Sequence, residues 1–132
     1  MDIDEFREIV SDEIDLLPDY CFKDLSGGIV VSERCYLHPG RVKDDLYIMG
    51  TYTTNAITKQ VTIYYGSFVK TIYNMDERKD FVRKKIREVL RHEFQHHLEN
   101  LAGMHGKNSL EGEDRKRMMD YYTMHGYEKE QK

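Results

Sequence analysis

Residues Val89–Gly103 read VLRHEFQHHLENLAG and contain an HExxH motif, in which His92 and His96 are the histidines and Glu93 follows the first. An α-helix has about 3.6 residues per turn, so histidines four positions apart lie on the same face. Their imidazoles can bind one ion, as a zinc site requires. The Glu93 carboxylate can take a proton from water that attacks a carbonyl and return it to the leaving amine. The motif therefore predicts a zinc-dependent peptidase site, with Glu93 as the general base.

The helical context favours this interpretation over chance, although so short a motif does recur by accident. Measured from His92, seven apolar residues fall on one face, between about 60° and 240°. They are Val82, Ile86, Val89, Leu90, Phe94, Leu98 and Leu101. His96 lies at about 40° and Glu93 at about 100°, so the motif borders this apolar face. His97, at about 140°, points into it and is predicted to be a hydrogen-bonded core histidine.

The length and composition indicate one domain, residues 1–132, in a reduced cytoplasmic setting. The net charge of −4 predicts no general attraction to nucleic acid. The chain opens without the basic and apolar segments of a signal peptide, and no apolar stretch is long enough to span a membrane. The two cysteines, Cys21 and Cys35, are too few for a disulfide framework, and we expect them to be packing residues.

The N-terminal segment Asp2–Leu17 is predicted to be an amphipathic helix that ends at or before Leu17, because Pro18 follows. Asp2 or Asp4 is the candidate for its N-cap. Its apolar residues recur at steps of three and four; they are Ile3, Phe6, Val10, Ile14 and Leu17. From Met1 to Asp19 there are eight acidic residues and a single basic one, Arg7. We expect a strongly acidic face on this helix.

Three segments have the aromatic and β-branched composition of strands: Ile29–Val31, Leu46–Thr53 and Gln60–Phe68. Gly66, within the last of them, predicts a bulge or a close backbone approach. The end of that strand, from Tyr64, is a candidate edge along which an extended peptide adds as a further strand. A predicted loop between the first two strands contains His38, which is expected to be exposed.

The motif lies in a long predicted helix, Met75–Ala102, with Asn74 as part of a capping box and Gly103 as the C-cap. Seven basic residues between Arg78 and Arg91 scatter around this helix instead of forming a stripe. They predict a solvated surface that meets the acidic first helix rather than a nucleic-acid site. A final helix is predicted at Glu111–His125, ending at Gly126.

A catalytic zinc also needs a third protein ligand, and spacing alone does not choose it. Glu99 shares the histidine face but lies about 10 Å along the helix axis from His92. This distance favours a residue that orients a histidine, or one that is merely on the surface, over a direct zinc ligand. A ligand that follows the turn at Gly103 is geometrically easier. The candidates there are His105, Glu111, Glu113 and Asp114.

The sequence resembles the small bacterial minimal-zincin metallopeptidase family over most of its length. The similarity includes Leu17-Pro18, Gly28-Ile29-Val30-Val31, Asp45-Leu46-Tyr47, Val61-Thr62-Ile63-Tyr64-Tyr65-Gly66 and His92-Glu93-Phe94-Gln95-His96-His97. The doubled His96-His97 and the strand ending Tyr-x-Gly are its more specific marks. The resemblance implies a compact α+β fold, with a small mixed sheet packed on the active-site helix.

The family's pattern has an Asp about six residues after the second ligand histidine, in a context like Asp-Glu-Arg. This chain has Ala102 there, and Leu98–Gly112 indicates a longer helix followed by an inserted loop. The nearest match to the family's context is Glu113-Asp114-Arg115. The resemblance therefore implies Glu113 as the third zinc ligand, with Asp114 as the next candidate.

Together these observations predict an α+β fold: three to four strands in a small mixed sheet, the long motif helix, an N-terminal helix and a C-terminal helix. The predicted function is a zinc-dependent peptidase that acts on a peptide or protein, with His92, His96 and Glu113 holding Zn²⁺ and Glu93 as the base. One alternative is a non-catalytic zinc-binding or regulatory module with the same fold. A metal-dependent nuclease is a weaker alternative, because the basic residues are dispersed.

Overall fold

The computed structural model of the protein describes residues 1–103 and 110–124, with residues 110–112, 119 and 122–124 described by their backbone alone. The described chain contains four α-helices and five strands, and all five strands lie between α1 and α2. In order they are α1 (Ile3–Asp15), β1 (Gly28–Ser32), β2 (Tyr36–Leu37), β3 (Tyr47–Ile48), β4 (Gly50–Thr54), β5 (Lys59–Tyr64), α2 (Tyr65–Thr71), α3 (Lys79–Leu101) and α4 (Leu110–Met124). Short 3₁₀ turns at Asp19–Phe22 and Met75–Glu77 precede β1 and α3.

The main sheet has three strands in the order β1-β5-β4. β1 is parallel to β5, with Ile29 opposite Val61, and β4 is antiparallel to β5, with Gly50 opposite Ile63. β2 and β3 form a separate antiparallel pair. The fold is thus a mixed α+β structure with a small sheet, a long helix and flanking helices, as the sequence predicts at this level.

The predicted strand Gln60–Phe68 is wrong beyond Tyr64, where the chain turns into α2. Within α2 the Ser67 hydroxyl accepts a hydrogen bond from the backbone N–H of Tyr36 at 2.9 Å. A Cβ on Gly66 would lie 2.5 Å from the backbone nitrogen of Cys35. The close backbone approach predicted for Gly66 is therefore confirmed, but on a helix instead of a strand.

The peptide-binding edge expected from Tyr64 onward is also wrong. β5 is the central strand and pairs with β1 on one side and β4 on the other. Its main-chain groups are already used on both sides. The sheet edge in the described chain that adjoins the motif helix is instead β4, which contacts α3.

One hydrophobic core joins α1, the sheet and α3. Phe6 of α1, Phe68 of α2 and Phe94 of α3 are each at most 2% exposed. The Phe6 and Phe68 rings meet edge to face, with centroids 4.9 Å apart. Phe94 meets Phe22 edge to face as well, with centroids 5.3 Å apart. Since aromatic side chains contribute the largest apolar areas to a core, this contact holds α3, and thus the motif, against the core.

The predicted meeting of acidic α1 with basic α3 is confirmed. The Arg87 Nε donates to Glu13 Oε1 at 2.6 Å, and Arg83 Nη1 donates to Glu13 Oε2 at 3.2 Å. Lys79 Nζ lies 2.7 Å from Glu5 Oε2. These pairs account for part of the basic character of α3 and support its interpretation as a surface that faces another helix.

The predicted helix ends are right in two places and wrong in a third. Asp2 caps α1, since its carboxylate accepts from the Glu5 N–H at 2.9 Å, and Gly103 follows α3 with a φ of 70°, in the left-handed region that favours glycine. Asn74, however, makes no side-chain cap; α3 begins only at Lys79.

The final helix is present as α4, and its predicted end at His125 and Gly126 lies outside the described residues. Both cysteines are free thiols, and Cys21 lies in the core. Among the described residues, no helix combines the length and apolar character needed to cross a membrane.

Candidate metal centre

The two histidines of the motif converge on one carboxylate oxygen from α4. The Nε2 atoms of His92 and His96 lie 3.2 Å and 2.7 Å from Oδ2 of Asp114. The imidazole centroids are 5.0 Å apart, as four-residue spacing on a helix dictates. Asp114 Oδ1 is 3.4 Å from Nη1 of Arg117, one turn further along α4. Both carboxylate oxygens are thus oriented by partners.

The donor set suits a zinc ion in its chemistry. The three candidate ligand atoms of His92, His96 and Asp114 all lie within 4.8 Å of one another. Imidazole nitrogen and carboxylate oxygen are both ligand types that zinc takes in proteins. Two imidazoles and one carboxylate also leave a fourth position open, which distinguishes a catalytic zinc site from a structural one.

Glu93 is the buried carboxyl group of this site. Its side chain follows His92 on α3, and the residue is only 7% exposed. Burial, and secondarily the charge of Asp114, raises the pKa of the Glu93 carboxyl to about 7. A carboxyl group with such a pKa can accept and release a proton near neutral pH.

A cleft of about 720 Å³ gives access to these residues. Its floor is α3, with Val89, His92, Glu93 and His96, and α4 contributes Asp114 to one wall. The opposite wall consists of the chain from Leu46 through Tyr52, which includes β3 and most of β4. The histidine cluster is therefore reached between an edge strand and a helix.

The register of β4 turns alternate main-chain groups to the side away from β5, where no described strand pairs with them. The Tyr64 N–H donates to the Met49 carbonyl at 2.9 Å, which makes these two residues a hydrogen-bonded pair. Bonded and non-bonded pairs alternate along an antiparallel ladder. Gly50 and Tyr52 therefore turn their N–H and C=O groups away from β5, and both residues line the cleft.

His97 is a core histidine, as the sequence predicts. It is fully buried; its Nε2 lies 2.7 Å from the Lys23 carbonyl oxygen and its Nδ1 lies 2.7 Å from the Tyr52 hydroxyl. A carbonyl only accepts, so Nε2 carries the proton and Nδ1 accepts one from Tyr52. Burial raises the pKa of the Tyr52 phenol, which keeps its hydroxyl protonated as a donor.

The structure does not bring Glu113 into the cluster; Asp114 takes the place that the sequence analysis gave to Glu113. Neighbouring residues on a helix point about 100° apart, so only one of the two can face the histidines. The Glu113 side chain is exposed. We therefore move the candidate third ligand from Glu113 to Asp114, which the sequence analysis kept as the next choice.

The other candidate ligands do not join the described cluster. Glu99 accepts a hydrogen bond from Gln95 Nε2 at 3.1 Å on the outer part of α3. His105 and the side chain of Glu111 lie outside the described residues. His38 lines the cleft but uses Nδ1 to accept the Gly40 N–H at 2.8 Å. It is half-buried rather than exposed, contrary to expectation.

Sequence analysis did not predict the contacts of two tyrosines near the site. Tyr52 is one of ten tyrosines and no local pattern sets it apart. Tyr121 of α4 accepts from the Val42 N–H at 2.9 Å and donates to Asp45 Oδ1 at 2.8 Å, which fixes α4 to the loop between β2 and β3. Contacts between segments so far apart in the chain leave no signal in a single sequence.

Comparison with known proteins gives information on the fold alone. No family model matches the chain, and no curated protein matches it. Among solved structures the chain is similar to a conserved hypothetical protein from "Thermo thermophilus", with 24% identity and a TM-score of 0.65. The match covers 77% of this chain and 98% of the other. At this level of identity, the similarity shows a shared fold.

Proposed function

We propose that this protein is a zinc-dependent peptidase of the minimal-zincin type, with His92, His96 and Asp114 as the metal ligands. The observation on which this depends is the convergence of both imidazole Nε2 atoms on Asp114 Oδ2 at the floor of an open cleft. The resemblance in sequence around the HExxH motif supports the same conclusion.

In the proposed reaction zinc, when bound, polarises a carbonyl and lowers the pKa of water. Glu93 accepts the proton that water loses as it attacks the peptide carbonyl. The same carboxyl group then donates that proton to the nitrogen of the leaving amine, so that Glu93 returns to its starting state. Without metal, burial and Asp114 raise the pKa of the Glu93 carboxyl to about 7. A bound cation would lower that pKa and so favour the carboxylate form that accepts the proton.

The proposed substrate is an extended peptide segment that adds to β4. The main-chain groups of Gly50 and Tyr52 turn away from β5 into the cleft. A peptide that pairs with them would lie between β4 and the histidine cluster, with its carbonyls held by main-chain hydrogen bonds whatever its sequence. This replaces the edge expected from Tyr64 onward.

The cleft favours a peptide over a nucleic acid. Its described lining includes both basic side chains, such as Lys85 and Arg117, and acidic ones, such as Glu88 and Asp114. Two other basic residues of α3, Arg83 and Arg87, are paired with α1. A phosphate backbone would need a row of unpaired cations.

The decisive experiment compares wild type, Glu93→Gln and the control Glu99→Gln, each loaded with zinc. Each protein is incubated with denatured protein as substrate, and the peptides released are identified by mass spectrometry. We expect wild type and Glu99→Gln to cleave peptides. We expect Glu93→Gln to retain zinc but to lose activity by a factor of about 10² or more.

Two results would count against the proposal. Equal cleavage by wild type and Glu93→Gln would remove Glu93 from the chemistry. Zinc bound at His92, His96 and Asp114 without any cleavage by wild type would favour the alternative, a non-catalytic metal-binding module.

A further inference from the structure

A second feature of the cleft links the strand that the substrate would join to the helix that holds the metal ligands. Tyr52 lies on β4 with its main-chain groups turned away from β5, while its hydroxyl reaches down to α3 and donates to Nδ1 of His97 at 2.7 Å. His97 directly follows His96. One side chain therefore joins the free edge of β4 to the turn of α3 that carries a candidate ligand.

This link is geometrically determined at both ends. The His97 ring is fully buried and held from its other side by the Lys23 carbonyl, also at 2.7 Å. The rings of Tyr52 and His97 also pack with centroids 5.2 Å apart. With Nε2 occupied as a donor, Nδ1 can only accept, and Tyr52 supplies the proton it needs. A buried acceptor without that proton would be left unsatisfied, which is costly.

We propose that Tyr52, through His97, is a positioning residue that sets the distance between a peptide bound on β4 and the metal held by His96. The inference rests on the proposed function and assigns Tyr52 no contact with the reacting atoms. Its role is to fix the main chain of β4 relative to the turn of α3 that carries His96. Loss of the link lowers the affinity for extended ligands and leaves the affinity for small metal-binding ligands unchanged.

The alternative is that the Tyr52–His97 bond serves stability alone. A purely structural role predicts lower stability with unchanged ligand preference. A positioning role predicts a selective effect, since only ligands long enough to pair with β4 depend on where that strand lies. The ratio of affinities for a long and a short ligand separates the two roles.

The test uses zinc-loaded full-length protein and two probes, acetohydroxamate and N-acetyl-Ala-Leu-Ala hydroxamate. Both present the same metal-binding group, but only the second is long enough to pair with β4. We expect Tyr52→Phe to keep its zinc and to bind acetohydroxamate within about twofold of wild type, while its affinity for the peptide hydroxamate falls roughly tenfold. Tyr64→Phe is the matched control, because Tyr64 also bonds to β4, through Thr51 Oγ1 at 3.2 Å, without reaching α3. It should change neither affinity more than about twofold.

A second pair of variants keeps the test decisive if Tyr52→Phe does not fold. The amide of His97→Gln can accept from Tyr52 and donate to the Lys23 carbonyl, so it should preserve the peptide affinity. His97→Leu can do neither and should lower that affinity.

The outcomes also separate this inference from the proposed function. If wild type binds both probes and Tyr52→Phe weakens both equally or neither, the positioning role is wrong and the proposed function stands. If zinc-loaded wild type binds neither probe, the proposed function fails and the positioning role fails with it.

Discussion

Gly50 of β4 lies directly against Val89 of α3, so closely that a Cβ on Gly50 would stand 2.6 Å from Val89 Cγ1. The same Cβ would be 3.3 Å from Ile63 Cδ1 and from the Thr62 carbonyl oxygen. Val89 precedes His92 by one helical turn. The absence of a side chain at Gly50 therefore sets how near the edge strand comes to the metal-binding turn of α3.

The first prediction concerns this contact. Gly50→Ala should lower the free energy of unfolding by about 1–3 kcal/mol, because Val89 is β-branched, with a stiff χ1 in a helix, and cannot turn away. Urea denaturation measures the change. Val89→Ala in the Gly50→Ala background should restore part of the loss by removing the opposing methyl group. An unchanged stability of Gly50→Ala would show that β4 does not pack on α3 as described.

The second prediction concerns the buried carboxylate between α1 and α3. Glu13 accepts from Arg87 and Arg83, and these bonds, with Arg87 the larger cause, hold its pKa below the ordinary 4.5. Glu13→Gln should lower the free energy of unfolding by about 2 kcal/mol at pH 7, since bonds to a charged group are lost. Because the folded pKa is lowered, this contribution is present above pH 4.5 and is lost as the pH falls through the folded pKa.

Asp12→Asn is the matched control for Glu13→Gln. Asp12 lies 3.4 Å from Arg83 Nη2, but its side chain is 62% exposed, so its loss should cost less than about 0.5 kcal/mol. Chemical denaturation at pH 7 and pH 3 gives both values. Equal effects of the two substitutions at pH 7 would contradict the claim that the buried Glu13 contributes more to stability than the exposed Asp12.

The third prediction follows from the raised pKa of Glu93 and applies to protein freed of metal by a chelator. The Glu93 carboxyl has a pKa of about 7 when folded and an ordinary value of 4.5. Its favourable contribution is thus complete below pH 4.5 and is lost as the pH rises through 7. Glu93→Gln, which stays neutral, should be more stable than wild type at pH 8, by up to about 3 kcal/mol.

Near pH 5 the difference between Glu93→Gln and wild type should largely vanish, because Glu93 is then mostly neutral as well. Thermal or urea unfolding at the two pH values measures this difference in the free energy of unfolding. The other titratable groups are the same in both proteins, so their contributions cancel in the difference. A difference of the same size at both pH values would show that ionisation of Glu93 is not its cause.

The features predicted most accurately were those determined by residues close together in the sequence. The amphipathic period of α1, the Asp2 cap and the glycine after α3 all act within a few residues, and all are confirmed. The position of His97 inside the core also followed from the helical period alone. The helical period of the apolar residues thus placed the motif at the border of the buried face of α3.

The features that sequence could not supply depend on contacts between distant segments. The run from Gln60 to Phe68 has strand composition throughout, but Gly66 and Ser67 pack on the chain at Arg34–Tyr36 and the strand ends at Tyr64. The choice between Glu113 and Asp114 depends on how α4 is rotated against α3. That rotation is set by Tyr121, bound to Val42 and Asp45.

The most direct test of the central claim is the zinc content of wild type, Asp114→Ala and Glu113→Ala after zinc loading and removal of unbound metal, by elemental analysis. We predict about one zinc per chain in wild type and in Glu113→Ala, and an affinity at least about 100-fold lower in Asp114→Ala. Wild type without zinc, or loss of zinc in Glu113→Ala with retention in Asp114→Ala, would contradict the site described by His92, His96 and Asp114.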